Sequence, residues 1–190
     1  MNQQHKSSQV AIVAIFFAVM LLIHFLSSFV FMLWPVPIKP TLVHIPVIIA
    51  SIVYGPRIGA TLGGLMGAIS VINSTIVLLP TSYLFSPFVE HGNIYSLVIA
   101  IVPRVLIGIL PYYTYKLFSL RFGAMLSGIV GSLTNTVFVL SGIFIFFGSV
   151  FNGNIKALLT AIISTNALAE VIISAIIAQI LVPRLLTFKQ

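Results

Sequence analysis

The chain has 190 residues, 59% of them hydrophobic and 6% charged, with a mean hydropathy of +1.20. Soluble domains carry about 25% charged residues, so this composition excludes a water-soluble globular protein and makes the chain an integral membrane protein. Nine Lys and Arg against two acids give a net charge of +7; because these cations stand singly at the edges of apolar runs, they read as topology signals and not as a nucleic-acid footprint. With no cysteine, disulfides, thiol catalysis and thiolate metal sites are excluded as well.

A helix that crosses a bilayer needs about 20 apolar residues, and the whole chain, 1–190, divides into six candidate spans forming one integral membrane domain. The first, 10–33, is too long for a signal-peptide core and lacks a cleavage site, so it is read as retained. It carries Ala11, Ala14 and Ala18 at helical spacing. A first helix has one side free, so this small-residue stripe is placed to meet either its own bundle or another subunit. The second, 41–54, is short enough to be tilted or to cross only part of the membrane. The third, 58–79, aligns Gly59, Gly63 and Gly67 on one face, and the fifth, 122–147, does the same with Gly123, Ser127 and Gly131. Packing within the chain is the expected use of these two stripes. The fourth span is 94–118 and the sixth is 155–186.

All-helical architecture follows because every backbone polar group within hydrocarbon must be satisfied internally, and the chain lacks the alternation of an outer-membrane barrel. Six spans put both termini on one side. That side collects Lys6, Arg57, Lys116, Arg121, Arg184 and Lys189, against Lys39 and Lys156 with Glu90 and His91 on the other. By the positive-inside rule both termini are cytoplasmic in a multi-pass cell-membrane protein. Two outward connections, "WPVPIKP" and "LPTSYLFSPFVEHGN", have the aromatic and turn-rich character of lids or binding loops, or of interfacial aromatic belts.

Arg104 interrupts an apolar run, "IVPRVLIGILP", where a cation costs about 2.5–3.5 kcal/mol even on insertion scales. At 1.5 Å per residue it lies about 14 Å below Tyr95, Asn135 about 18 Å in from Phe147, and Asn166 about 16 Å below Ile155. Asn166 and Glu170 are four apart and share a helix face. One cation, one acid and two amides thus fall at similar depth. Two readings stand: a dry structural Arg104–Glu170 pair, or a polar pocket in which a guanidinium holds a substrate carboxylate and amides serve hydroxyl and amide groups. His24 and His44 are isolated and read as structural residues near the outer interface. No phosphate-binding loop is present, so the chain is not expected to hydrolyse a nucleotide, and no metal centre is expected.

The A-x-x-x-A in "AIFFA", the stretch "HIPVIIASIVYGPRIGATLGGLMG" and the later "PTSYLFSPF" resemble the S components, the substrate-binding membrane subunits of energy-coupling factor (ECF) vitamin transporters, in their pantothenate-type branch. The resemblance implies a six-helix riboflavin-transporter-like bundle. It further implies high-affinity capture of one vitamin from outside and association with a membrane-embedded T component driven by two ATPase subunits. ATP and Mg²⁺ would then belong to those partners, with no cofactor in this chain. It carries Ala14 and Ala18 to the face that meets the T component, Ser82 and Tyr83 to the pocket rim, and Trp34 to the first outward loop. Pantothenate offers a carboxylate, two hydroxyls and an amide, an inventory that Arg104, Asn135, Asn166 and Glu170 match. An S component for another vitamin or precursor, of riboflavin, pyridoxine or hydroxymethylpyrimidine type, is the alternative, and a membrane scaffold that transports nothing is the alternative from another class.

Overall fold

A computed structural model describes residues 3–33, 42–118, 120–148, 154, 160 and 165–189. The described residues are helical apart from turns, short irregular stretches and 3-10 residues at Ser82–Leu84 and Gly148, with the elements α1 (Gln3–Leu33), α2 (His44–Tyr54), α3 (Pro56–Ile76), α4 (Ile94–Ile107), α5 (Leu110–Phe118), α6 (Leu120–Phe146) and α7 (Thr165–Lys189). Five stretches are long and apolar enough to cross a membrane, α4 and α5 together making one of them. Trp34, Lys39 and Lys156 lie outside the described residues, as does Ile155, from which the depth of Asn166 was reckoned.

The second predicted span turns out to be the centre of the bundle. α2 has only 11 residues, about 17 Å or half a hydrocarbon core. Its residues His44 through Val53 are all buried, and a helix that is apolar on every side belongs inside. Its Val47, Ile48 and Ile52 join Met20 of α1, Leu62 of α3, Ile107 of α4 and Val182 of α7 in one core cluster. The chain leaves α2 through Gly55, whose φ of +102° suits glycine, and Pro56 opens α3.

The α3 stripe is internal packing, as expected. A β-carbon on Gly59 would strike the Gly108 carbonyl, one on Gly63 the Arg104 carbonyl, and one on Gly67 would lie 2.8 Å from the Ala100 carbonyl. Each step of four residues along α3 answers four residues back along α4, so two antiparallel backbones touch over two turns. The α6 stripe is internal too. Ser127 Oγ lies 2.9 Å from the Pro111 carbonyl, a β-carbon on Gly131 would meet Ile48 and Pro111, and the neighbouring Gly128 abuts the backbone of Ser174 and Ala175 on α7.

The fourth predicted span, 94–118, is recovered as one membrane-length stretch, Ile94–Phe118, with a local break inside it. The break falls at Gly108 and Ile109 between α4 and α5, where the Gly108 backbone presses on Gly59 and the Gly108 N–H is shared between the carbonyls of Arg104 and Val105. The N-terminal end of α1 and the C-terminal end of α7 lie at one end of the bundle. Gln9 of α1 and Arg57 of α3 line the same groove, and Lys189 Nζ donates to the Val53 carbonyl at 2.7 Å while sitting over the Tyr54 ring, a cation at a helix C-terminus. Lys116, Arg121 and Arg184 lie at this same end by connectivity. The Glu90–His91 pair, at 3.8 Å and exposed, lies in the connection at the other end.

Candidate functional site

The explanation of Arg104 begins one residue earlier. Pro103 lies inside α4 and has no N–H to give, so the carbonyl four residues back, that of Ile99, loses its helical partner. Arg104 Nη1 donates to that carbonyl at 2.7 Å. The guanidinium is therefore folded back along α4 toward the end that carries the Glu90 loop, and lies 5.3 Å from the centre of the Phe85 ring. It is 8% exposed, and its Nε has no hydrogen-bond partner among the described residues. One of five N–H donors is used to fix the group, and the others keep their capacity. Arg104 and Glu170 do not form a salt bridge, so of the two sequence readings the dry ion pair is not what holds this cation in place.

Phe85 reaches Arg104 from a tightly fastened connection between α3 and α4. Ser82 Oγ donates to the Val77 carbonyl at 2.9 Å and accepts from the Leu79 N–H at 2.9 Å. Ser96 Oγ donates to the Tyr83 carbonyl at 2.6 Å, and the hydroxyls of Thr75 and Ser86 meet at 2.7 Å. Asn93 caps α4 by accepting from the Tyr95 N–H. The Ser82 hydroxyl is thus committed to the connection's own shape, and Tyr83 packs edge-on against Phe147 at 5.6 Å. Beneath them Leu84, Ile99, Val139 and Ile143 form a small apolar floor.

Antiparallel packing sets the depth of the remaining groups. Gly142 of α6 faces Ile99 of α4, and Gly131 faces Pro111. Counting back from Gly142 brings Asn135 opposite Leu106, about 3 Å along the axis from Arg104. Gly128 faces Ser174 of α7, which by the same count sets Asn135 level with Ala167 and Ser132 level with Glu170. Asn135 Oδ1 and Ser132 Oγ are buried without hydrogen-bond partners among the described residues. Glu170 is 4% exposed, and Asn166 is the second residue of α7, one turn before it. Residues on α4, α6 and α7 that the sequence set at one depth are brought to one level, with Ser82 and Tyr83 in the connection that Phe85 extends toward Arg104.

Two buried polar residues of the bundle carry no clear signal in the sequence. His44 was read as a structural residue near the outer interface; it is instead fully buried at the start of α2, with Nε2 2.9 Å from Ser174 Oγ in the middle of α7. The half-length of its helix was the available signal, since a half-span must begin or end at depth. Ser132, three residues before Asn135, was passed over because a hydroxyl inside an apolar helix ordinarily bonds back to its own turn.

Comparison with known proteins decides what kind of molecule presents these groups. A family model described as "ECF transporter, substrate-specific component" matches residues 8–182. The chain belongs to that family. The membership agrees with the resemblance read from the Ala14–Ala18 helix and the "YGPRIGATLGG" stretch, and makes this ECF substrate-specific component a transporter subunit. The pantothenic acid transporter PanT of Lactococcus lactis subsp. cremoris (strain MG1363) is 50% identical to it over 188 residues, covering 96% of each chain. In this ECF component Ala14 and Ala18 lie exposed on α1. Ala14 also borders a groove of about 530 Å³ between α1 and α3, lined by Val10, Phe17, Arg57 and Leu65 among others.

Proposed function

We propose that this chain is the pantothenate-binding subunit of an ECF-type vitamin importer. Half of all positions shared over nearly the full length of both chains with a pantothenic acid transporter is the observation that carries the reading. The chemistry of the interior supports it. An anchored guanidinium with spare donors suits a carboxylate. Asn135, Asn166 and Glu170 supply donors and acceptors for two hydroxyls and an amide, and Ser82 and Tyr83 hold the connection that covers them, with Trp34 in the other outward loop. The basic residues gathered at the end that holds both termini support cytoplasmic N- and C-termini and six passes, the buried α2 counting as the short one.

In this reading the vitamin enters from the outside. A membrane-embedded T component docks on Ala14 and Ala18, and two ATPase subunits supply ATP and Mg²⁺ chemistry that this chain, needing no cofactor, does not perform. The purified chain is expected to retain pantothenate detectable by mass spectrometry, and to bind it in calorimetry in preference to riboflavin, pyridoxine and hydroxymethylpyrimidine. Co-purification of a different vitamin would reassign the substrate, while a chain that binds none of the four would leave the scaffold reading standing.

The coupling face has its own test. Ala14→Trp adds an indole to a lipid-exposed position, so the variant is expected to bind pantothenate with unchanged affinity. Close helix approach at small residues is lost, and uptake of labelled pantothenate by cells carrying the complete transporter should fall at least tenfold. Normal uptake would move the docking face elsewhere.

A further inference from the structure

Arg121 and Arg184 line one cavity of about 220 Å³ with Gln179, Ile180 and Pro183, between the first turn of α6 and the last turns of α7. Neither guanidinium has a hydrogen bond, ion pair or ring contact among the described residues. The other cations at this end are placed differently: Lys189 is held by the Val53 carbonyl, Lys116 lies 5.1 Å from the Tyr112 ring, and Arg57 borders the separate groove beside α1. Two guanidinium groups sharing a small cavity repel one another. Arg121 is further opposed by the positive end of the α6 dipole, where the first turn has no acid.

Neither acidic side chain of this chain reaches the pair. The chain has two acids: Glu90 is exposed at the opposite end of the bundle, and Glu170 is buried in α7, 14 residues from Arg184, about 21 Å along the helix. Both arginines are exposed, so an anion arriving from outside the chain can reach them. The surroundings indicate its source, for Ile180 lines the cavity and is itself exposed, and Leu120 and Phe122, the chain neighbours of Arg121, are exposed apolar residues. Two arginines and a carboxamide at a helix end, beside exposed apolar surface, fit a phosphodiester that arrives with acyl chains attached. We infer that this cavity binds the headgroup of an anionic glycerophospholipid, Arg121 and Arg184 gripping the phosphate and the Gln179 amide donating to it. Basic pockets between spans near the cytoplasmic face are the usual seat of such headgroups. The inference depends on the chain's place in a membrane and is independent of which vitamin it carries.

The test is native mass spectrometry of the full chain in neutral detergent, titrated in parallel with phosphatidylglycerol, phosphatidylcholine and inorganic phosphate, with thermal melting alongside. One phosphatidylglycerol is expected to stay bound and to raise the melting temperature, whereas phosphatidylcholine and phosphate do neither. At roughly 1 kcal/mol per basic residue, the double variant Arg121→Gln/Arg184→Gln should lose about thirtyfold in phosphatidylglycerol affinity. Each single variant should lose about fivefold, which keeps the measurement available if the double variant folds poorly. Arg57→Gln should lose nothing. Equal retention of the two lipids, or selectivity surviving in the double variant, would overturn the inference. Phosphate protecting as well as lipid would make this a free-anion site. Protection in neutral lipid arising only with the partner subunits present would assign the pair to a protein acid.

Discussion

Arg104→Gln is expected to weaken pantothenate binding at least a hundredfold while leaving the bundle folded. Removing one member of a buried, hydrogen-bonded charge pair costs about 2–5 kcal/mol, or roughly thirtyfold to several thousandfold in affinity. The guanidinium is buried and pre-aimed by its bond to the Ile99 carbonyl, so little is given back by rearrangement. Glutamine can still reach toward that carbonyl with an amide N–H, which separates loss of the ligand from loss of the fold. Arg104→Lys should fail nearly as badly, because an ammonium lacks the planar fork and cannot hold the helix carbonyl and a carboxylate together. Pro103→Ala probes the anchor alone. Alanine at 103 returns an N–H to the Ile99 carbonyl, freeing the guanidinium, and affinity should fall by a smaller factor with no loss of melting temperature. Calorimetry on detergent-purified variants reads all three. Unchanged affinity in Arg104→Gln, with only a lower melting temperature, would mean that the arginine exists to satisfy a carbonyl that proline left bare.

That alternative is legible in "IVPRV" itself, because a proline inside a helix orphans the carbonyl four residues earlier and a cation next to it is a ready partner. What the letters do not specify is which way the side chain folds. Helical periodicity gave the glycine stripes and the shared face of Asn166 and Glu170, since both follow from 3.6 residues per turn. Apolar length located the fourth span at its full extent, Ile94–Phe118, but not the break inside it at Gly108, where the backbone of Gly59 presses and the only local helix-breaking signal is one glycine. The shortness of the second segment points to a half-span that ends at depth, but composition cannot tell a helix apolar for lipid from one apolar for protein, so its place as the buried hub follows only from packing. Asn135 was visible as an amide at depth; that its Oδ1 lacks a partner depends on what α4 and α7 bring beside it.

Two adjacent glycines of α3 should respond to the same substitution with opposite signs. Gly63→Ala places a methyl group against the Arg104 carbonyl and within 3.0 Å of the Val105 α-carbon, both backbone atoms that no rotamer change can move. The contact repeats one turn away in each direction at Gly59 and Gly67, so α4 cannot slide past it without breaking those as well, and the helices must separate. Overpacking of this kind costs about 1–3 kcal/mol, and Gly63→Leu should exceed that and prevent recovery of folded protein. A β-carbon on Gly64 would make only ordinary van der Waals contact, with the Val105 side chain at 4.0 Å. Gly64→Ala should therefore keep the packing and gain about 0.5–1 kcal/mol from reduced backbone freedom. Thermal melting of the two alanine variants in one detergent should move down for the first and up for the second. Because Gly63 bears on the peptide of Arg104 itself, the first should also lose pantothenate affinity, and the second should keep it. Equal shifts for both would show that α3 and α4 do not touch through this stripe. The depth of Arg104 would then be set by the Phe85 connection instead of by helix packing.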